Sequence, residues 1–255
     1  MRQKIVAGNW KMNGSLEFAN DFVSGVNRAV LPDAIDVVIC PPAPYLLTVS
    51  SQIKGAKVGA QNVYFETSGA YTGELSPKIL QDVGCKYVLV GHSERRALLS
   101  EVDGQIAKKV KAAIDCDLKV ILCVGETLEQ RASGKLEEVI SAQVLAGTSL
   151  LDVVEFGSLV VAYEPVWAIG TGQTASPQQA QEVHALIRSL LVKLAGETAA
   201  ENVSILYGGS VSASTAAEIF AQADIDGGLV GGASLKLEEF LVICDHCANA
   251  IVGGK

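Results

Sequence analysis

Glu164 is the residue of this chain best placed to do chemistry. It follows an apolar, β-branched run, Leu159-Val160-Val161-Ala162-Tyr163, and a carboxylate delivered by a strand end must either find a partner or take part in a reaction. The residues after it, Pro165-Val166-Trp167-Ala168-Ile169-Gly170-Thr171-Gly172, read as a lid with a proline hinge, an aromatic anchor and a glycine-rich tip whose N–H groups can close over an anion. An ordinary surface loop with a solvated glutamate is the alternative. Other polar or glycine-rich segments sit in the same kind of place: Asn9 and Lys11 after the first β-rich run, His92-Ser93-Glu94-Arg95 after the fourth, Gly208-Gly209-Ser210 after the seventh and Gly231-Gly232-Ala233-Ser234 after the eighth. A carboxylate beside a carbonyl substrate can take an adjacent C–H proton, a neutral histidine can polarise the oxygens, and a lysine can stabilise the enediolate. His92 precedes a stretch able to start a helical turn, whose positive end disfavours an imidazolium. Paired glycines after two late strands suit a phosphate held on backbone N–H groups. No His/Asp/Glu set with metal-ligand spacing accompanies them, so neither a metal nor a cofactor is expected.

These groups need a scaffold that gathers strand ends. β-Rich runs recur at Ile5–Asn9, Asp36–Cys40, Val58–Gln61, Tyr87–Gly91, Lys119–Val124, Leu159–Tyr163, Ser204–Tyr207 and Gly228–Val230, about 32 residues apart, the interval of a βα unit with right-handed crossovers. Helix-compatible stretches lie between them at Leu16–Val30, Gln105–Ile114, Leu136–Ala146, Gln178–Leu194 and Thr215–Ala223. Ser176-Pro177 reads as a cap and first-turn proline for the long one, and Gly196 can end it. The strands are continuous apolar runs, as in a parallel sheet covered on both faces. Eight units predict a closed (β/α)8 barrel with its working face where the strands end. A doubly wound open sheet is the competitor, but Gly8-Asn9-Trp10-Lys11-Met12-Asn13-Gly14 lacks the glycine spacing of a dinucleotide turn. No linker or compositional break divides residues 1–255, so one domain is expected.

Composition narrows the class. Of 255 residues, 49% are hydrophobic and 19% charged, which excludes disorder, and no apolar run approaches the roughly 20 residues of a membrane span. The N-terminus enters a strand-like run without a signal core, so a soluble cytoplasmic protein is expected. A net charge of −8 with no Lys/Arg cluster argues against nucleic acid. Among six cysteines only Cys244 and Cys247 have motif-like spacing, with His246 between them. Buried thiols are the favoured reading over a redox or metal pair, because no second ligand pair matches.

The ordered segments Gly8-Asn9-Trp10-Lys11-Met12-Asn13, Gly91-His92-Ser93-Glu94-Arg95-Arg96, Cys123-Val124-Gly125-Glu126, Tyr163 to Gly172, Tyr207-Gly208-Gly209-Ser210 and Gly231-Gly232-Ala233-Ser234-Leu235 resemble the triosephosphate isomerases over the whole chain. The resemblance implies a single-domain TIM barrel that interconverts dihydroxyacetone phosphate and D-glyceraldehyde 3-phosphate through a cis-enediolate, in glycolysis and gluconeogenesis. It implies Glu164 as base, His92 as electrophile, Lys11 as charge stabiliser and Asn9 as substrate orienter. Gly170, Ser210, Gly231 and Gly232 would hold the phosphate, Glu94 and Cys123 would support, and residues 165–175 would form the lid. A homodimer is also implied, built on the third βα loop, residues 61–74, whose Thr72, Gly73 and Glu74 would reach the neighbour's Asn9–Lys11 region. This loop is long and aromatic for a plain connection, although a self-packed loop is the alternative. One departure from the family pattern is Gln173 in Gln173-Thr174-Ala175, where the second hinge usually begins with lysine; it bears on lid kinetics more than on the reaction. A phosphate-binding lyase or aldolase using Lys11 as a Schiff base, or a non-catalytic phosphate-binding scaffold, remain the rival readings.

Overall fold

The computed structural model describes residues 2–169 and 174–252. Eight parallel strands, β1 (Lys4–Asn9), β2 (Ile35–Cys40), β3 (Lys57–Ala60), β4 (Tyr87–Val90), β5 (Lys119–Val124), β6 (Leu159–Tyr163), β7 (Ser204–Tyr207) and β8 (Gly227–Val230), form a closed barrel in sequence order. Each lies within one residue of its expected ends. Helices cover the outside, the longest being Pro177–Ala195. Ser176 caps that helix by accepting the Gln179 N–H, and Gly196 ends it at φ 81°. The expected Thr215–Ala223 helix contracts to Ala216–Phe220; at its start Thr215 Oγ1 accepts the Ser212 N–H at 3.1 Å.

Alternation along the strands decides which residues meet. Ile5, Ala7, Val38, Cys40, Leu89, Ile121, Cys123, Val160, Ala162, Leu206 and Leu229 belong to the cluster that fills the barrel. Val6, Val37, Ile39, Val88, Leu122, Val161, Tyr163, Ile205 and Tyr207 face outward and pack under the helices. With a side-chain period of two, Asn9 continues the inward series of Ile5 and Ala7, and Glu164 that of Val160 and Ala162. The candidate groups are therefore the top layer of the interior packing.

The seam lies between β8 and β1, in register from Ile5↔Gly227 to Gly8↔Val230. Gly227 has φ 132°, and a Cβ there would lie 1.9 Å from the Ile5 carbonyl oxygen, so no other residue fits. Just before it, at the end opposite the candidate site, Asp226 is 1% exposed. Its carboxylate accepts from Arg2 Nε at 2.9 Å, Arg188 Nη2 at 3.0 Å and the Ile205 N–H at 3.0 Å, joining the starts of β1, β7 and β8. Removing one member of such a buried group strands the others. Asp226→Ala leaves Arg188 only the more distant Asp224 carboxylate, 3.6 Å from its Nε, and is expected to cost about 3–5 kcal/mol, measured by urea unfolding; a loss under about 1 kcal/mol would show that the seam closes without the carboxylate.

Candidate active site

Glu164 is 2% exposed. Its Oε2 accepts the Ser93 N–H at 2.9 Å, and its Oε1 lies 2.8 Å from His92 Nε2. The expectation that a strand-end carboxylate needs a partner is thus met on two sides. His92, 5% exposed, caps the Ser93–Leu98 helix: its Nδ1 accepts the Glu94 N–H at 3.2 Å. That bond places the proton of the neutral ring on Nε2, facing Glu164. Burial works against an imidazolium, but the Glu164 carboxylate outweighs it and the His92 pKa lies above the ordinary 6.5. The raising influence is chiefly that carboxylate, and it opposes the neutral form expected from the helix end.

The loop after β1 brings the cation. Lys11 has φ 54°, a left-handed conformation unusual outside glycine. It is held by the Asn9 side chain, which accepts the Lys11 N–H at 3.0 Å, and by Gln61 Nε2, which donates to the Lys11 carbonyl at 2.8 Å and the Cys40 carbonyl at 2.9 Å. The Lys11 ammonium sits 2.6 Å from Glu94 Oε1. Gln61 was absent from the sequence-predicted set; its one signal is a polar residue immediately beyond β3.

Asn9, Lys11, His92, Glu164, Ser210, Gly231 and Gly232 line one cavity of about 560 Å³, together with Ile169 and Thr174 of the lid. At Gly232 an added Cβ would meet nothing within 4 Å, and Gly231 opens toward Lys11 Cε, so these glycines leave backbone accessible to an anion. They begin a 3-10 turn, Gly232–Leu235. Gly208 is not available in the same way, because its N–H donates to the Tyr163 carbonyl at 2.7 Å. Ser210 also touches the lid, its hydroxyl donating to the Ala168 carbonyl at 3.4 Å. Glu94 stands behind Lys11 and does not line this cavity. Cys123 lies in the barrel interior beneath it, its thiol pushed up by burial and by Glu164.

Of the residues expected to form a lid, Pro165, Val166, Trp167, Ala168, Ile169, Thr174 and Ala175 are described, and Gly170, Thr171, Gly172 and Gln173 lie outside the described residues. The first hinge is anchored by a residue the sequence reading quoted but did not select. Glu126 is fully buried, and its Oε1 accepts from Tyr163 Oη at 3.0 Å, Trp167 Nε1 at 2.9 Å and Arg131 Nη1 at 3.0 Å, while the Arg131 guanidinium lies 5.1 Å from the Trp167 ring centre. A second glutamate two residues beyond a strand end was its only mark in the sequence.

The two buried histidines respond to pH with opposite signs. Burial lowers His184 to about 4, so the unfolded chain takes up its proton near 6.5 and the folded chain only near 4, and stability falls as pH drops through that window. The raised His92 contributes stability that is full below 6.5 and is lost as pH rises through its folded value. In NMR titrations His92 is expected above 6.5 and His184 well below it, with Glu164→Gln lowering His92 and leaving His184 unchanged. A His92 value unmoved by Glu164→Gln would mean that the contact does not govern its proton.

Comparison with known proteins agrees with this geometry. A family model described as Triosephosphate isomerase matches residues 4–247. A triosephosphate isomerase of Hydrogenovibrio crunogenus is 53% identical over 248 residues, 96% of this chain and 98% of that protein. Those of Colwellia psychrerythraea (51% over 249 residues; 95% and 97%) and Pseudomonas fluorescens (50% over 252 residues; 98% and 100%) are similar to the same extent. With a carboxylate, a histidine, a lysine and open glycine backbone around one cavity at the strand ends of an eightfold barrel, and relatives matching it almost end to end, this chain belongs to the triosephosphate isomerase family.

Proposed function

We propose that the chain, one barrel domain, interconverts dihydroxyacetone phosphate and D-glyceraldehyde 3-phosphate, with Glu164 carrying the proton between C1 and C2. The observation that carries this assignment is the pair of contacts at Glu164, from His92 Nε2 and the Ser93 N–H. When the carboxylate swings into the cavity, it gives up both and frees the Nε2 proton for the substrate oxygens. Glu164 takes a proton from C1, the electron pair forms the C1=C2 bond, and negative charge develops on the C2 oxygen. His92 donates to that oxygen and accepts the proton of the C1 hydroxyl, so the charge passes between oxygens. Glu164 then returns its proton to C2 as the C1 carbonyl forms. Lys11 balances the charge, and Asn9 holds the Lys11 backbone and the substrate side of the cavity. An ammonium held against Glu94 suits this role better than a Schiff base, which needs a lysine in an apolar pocket.

The phosphate is assigned to the backbone of Gly231, Gly232 and Ser210, with Gly170 closing from the lid. Closure suppresses loss of phosphate from the enediolate by excluding water and strengthens the charge interactions. Glu94 and Cys123 are given supporting roles, the first by holding Lys11 and the second by filling the barrel below Glu164.

We also propose a homodimer, and a surface groove supports it. A groove of about 570 Å³ on the far side of Lys11 is lined by Gln61, Glu74, Glu94, Leu98 and Leu99. Beside it Met12 is 96% and Leu98 77% exposed, an apolar rim of the kind that marks an interface. The 61–74 loop is self-stapled, with Tyr64 stacked on Phe65 at 4.1 Å and its N–H on the Leu75 carbonyl at 2.8 Å, and it presents Thr72, Gly73 and Glu74 to solvent. We assign that tip to a second copy's groove. A cytoplasmic setting is supported by six cysteines, none of them paired. No helix among the described residues is long and apolar enough to cross a membrane.

Isomerisation in D₂O is expected to exchange a C1 hydrogen with solvent, and Glu164→Gln is expected to lower kcat by at least about 10³; near-parental turnover would remove Glu164 as the base. Thr72→Arg is expected to shift the protein from dimer to monomer in sedimentation velocity and to lower kcat with it. A dimeric, fully active Thr72→Arg protein would place the interface elsewhere.

A further inference from the structure

The backbone of Glu164 rests on Gly125. A Cβ at Gly125 would lie 1.8 Å from the Glu164 carbonyl oxygen and 2.7 Å from its carbonyl carbon, so the two peptides touch with no room for a side chain. Around this contact the β5 and β6 ends remain paired: the Glu164 N–H donates to Val124 at 2.7 Å and the Val166 N–H to Glu126 at 3.1 Å. One side chain takes both polar groups of Gly125. Gln143, on the Leu136–Thr148 helix, accepts the Gly125 N–H on Oε1 at 2.7 Å and donates from Nε2 to the Gly125 carbonyl at 3.1 Å. Its amide thus replaces a neighbouring peptide.

The helix reaches this position because of Gly147, one turn on and on the same face. A Cβ there would meet Leu122 Cδ2 at 2.6 Å, so the glycine lets the helix settle onto β5. Ile140 and Val144 complete the buried face. Gln143 is half-buried, and it borders a cleft of about 270 Å³ that reaches Glu164 from behind, between Ser93 and Val166. It does not line the substrate cavity.

We propose that Gln143 is a positioning residue for proton transfer: by clamping the Gly125 peptide it sets where the Glu164 backbone is held, and so the arc of the carboxylate from Ser93 and His92 to the substrate. This role rests on Glu164 being the base. Of the groups assigned to the phosphate, Ser210 follows β7 and Gly231 and Gly232 follow β8, away from Gln143, and Gly170 alone follows β6, so the influence of Gln143 belongs chiefly in turnover.

Gln143→Met keeps the volume and removes both hydrogen bonds. Its kcat is expected to fall about 10- to 100-fold, the cost of a misplaced reacting group, with KM changed by less than about twofold, the pattern of an interaction felt only in the transition state. Gln143→Glu keeps an acceptor for the Gly125 N–H but turns a carboxylate oxygen toward the Gly125 carbonyl in place of the donor, so its kcat is also expected to fall below the parent's. A kcat within about twofold of the parent's for Gln143→Met, whatever its Tm, or a loss expressed in KM, overturns the role. If Gln143→Met does not fold, Gln143→Glu decides, and parental kcat there overturns it. Glu164→Gln measured alongside separates the two readings. An inactive Glu164→Gln with a parental Gln143→Met overturns only the role of Gln143, whereas an active Glu164→Gln removes the base and this role with it.

Discussion

Removing a carboxylate from water costs several kcal/mol unless partners replace the lost hydration, and Glu164 does so with two hydrogen-bond partners, the Ser93 amide and His92 Nε2. Both lie at the start of the helix after β4, so the carboxylate of β6 is held from across β5, two strands away around the barrel mouth. This contact couples the proposed acid and base: each occupies the other, and substrate must compete with that pairing. It also explains why the His92 pKa lies above its ordinary value although burial pushes it down. The proton on Nε2 is kept in place by the carboxylate that later leaves it.

Three further groups of side chains hold the geometry of the mouth. Glu126 ties Tyr163, Trp167 and Arg131 into one buried group, so the first lid hinge is fastened to the strand that carries the base. Gln61 and Asn9 hold Lys11 in a left-handed conformation that its backbone would not choose alone. Gln143 and Gly125 do the corresponding work beneath Glu164. In each case a side-chain amide or carboxylate captures backbone or buried polar groups that strand pairing has released at the barrel rim.

The opposite end of the barrel has a different task. There the buried Asp226 gathers Arg2, Arg188 and the Ile205 amide where the first and last strands meet. One end of the barrel spends buried charge on closure and the other on chemistry, and they are separated by interior layers such as Ile5, Ala7, Ile121 and Val160.

The barrel and most of the residues that line its candidate site were legible in the chain itself. A repeating βα interval, fully apolar strands and the punctuation at Ser176, Pro177 and Gly196 specify local structure, whereas the inward placing of Asn9 and Glu164 follows from how the strands pack in the barrel. Their chemical types, with His92 and Lys11, already named a reaction class. What the chain could not announce were residues whose importance lies only in their neighbours. Glu126, Gln61 and Gln143 are ordinary polar residues in sequence, and Gly208 looked as available as Gly232 until its N–H was found on the Tyr163 carbonyl. The His92 proton likewise depends on a carboxylate 72 positions away in the chain and 2.8 Å away in space. Periodicity and propensity are local and survive in a linear reading; hydrogen-bond partners and the electrostatics of buried groups depend on which distant atoms folding brings within about 3 Å, and only the tertiary structure decided those.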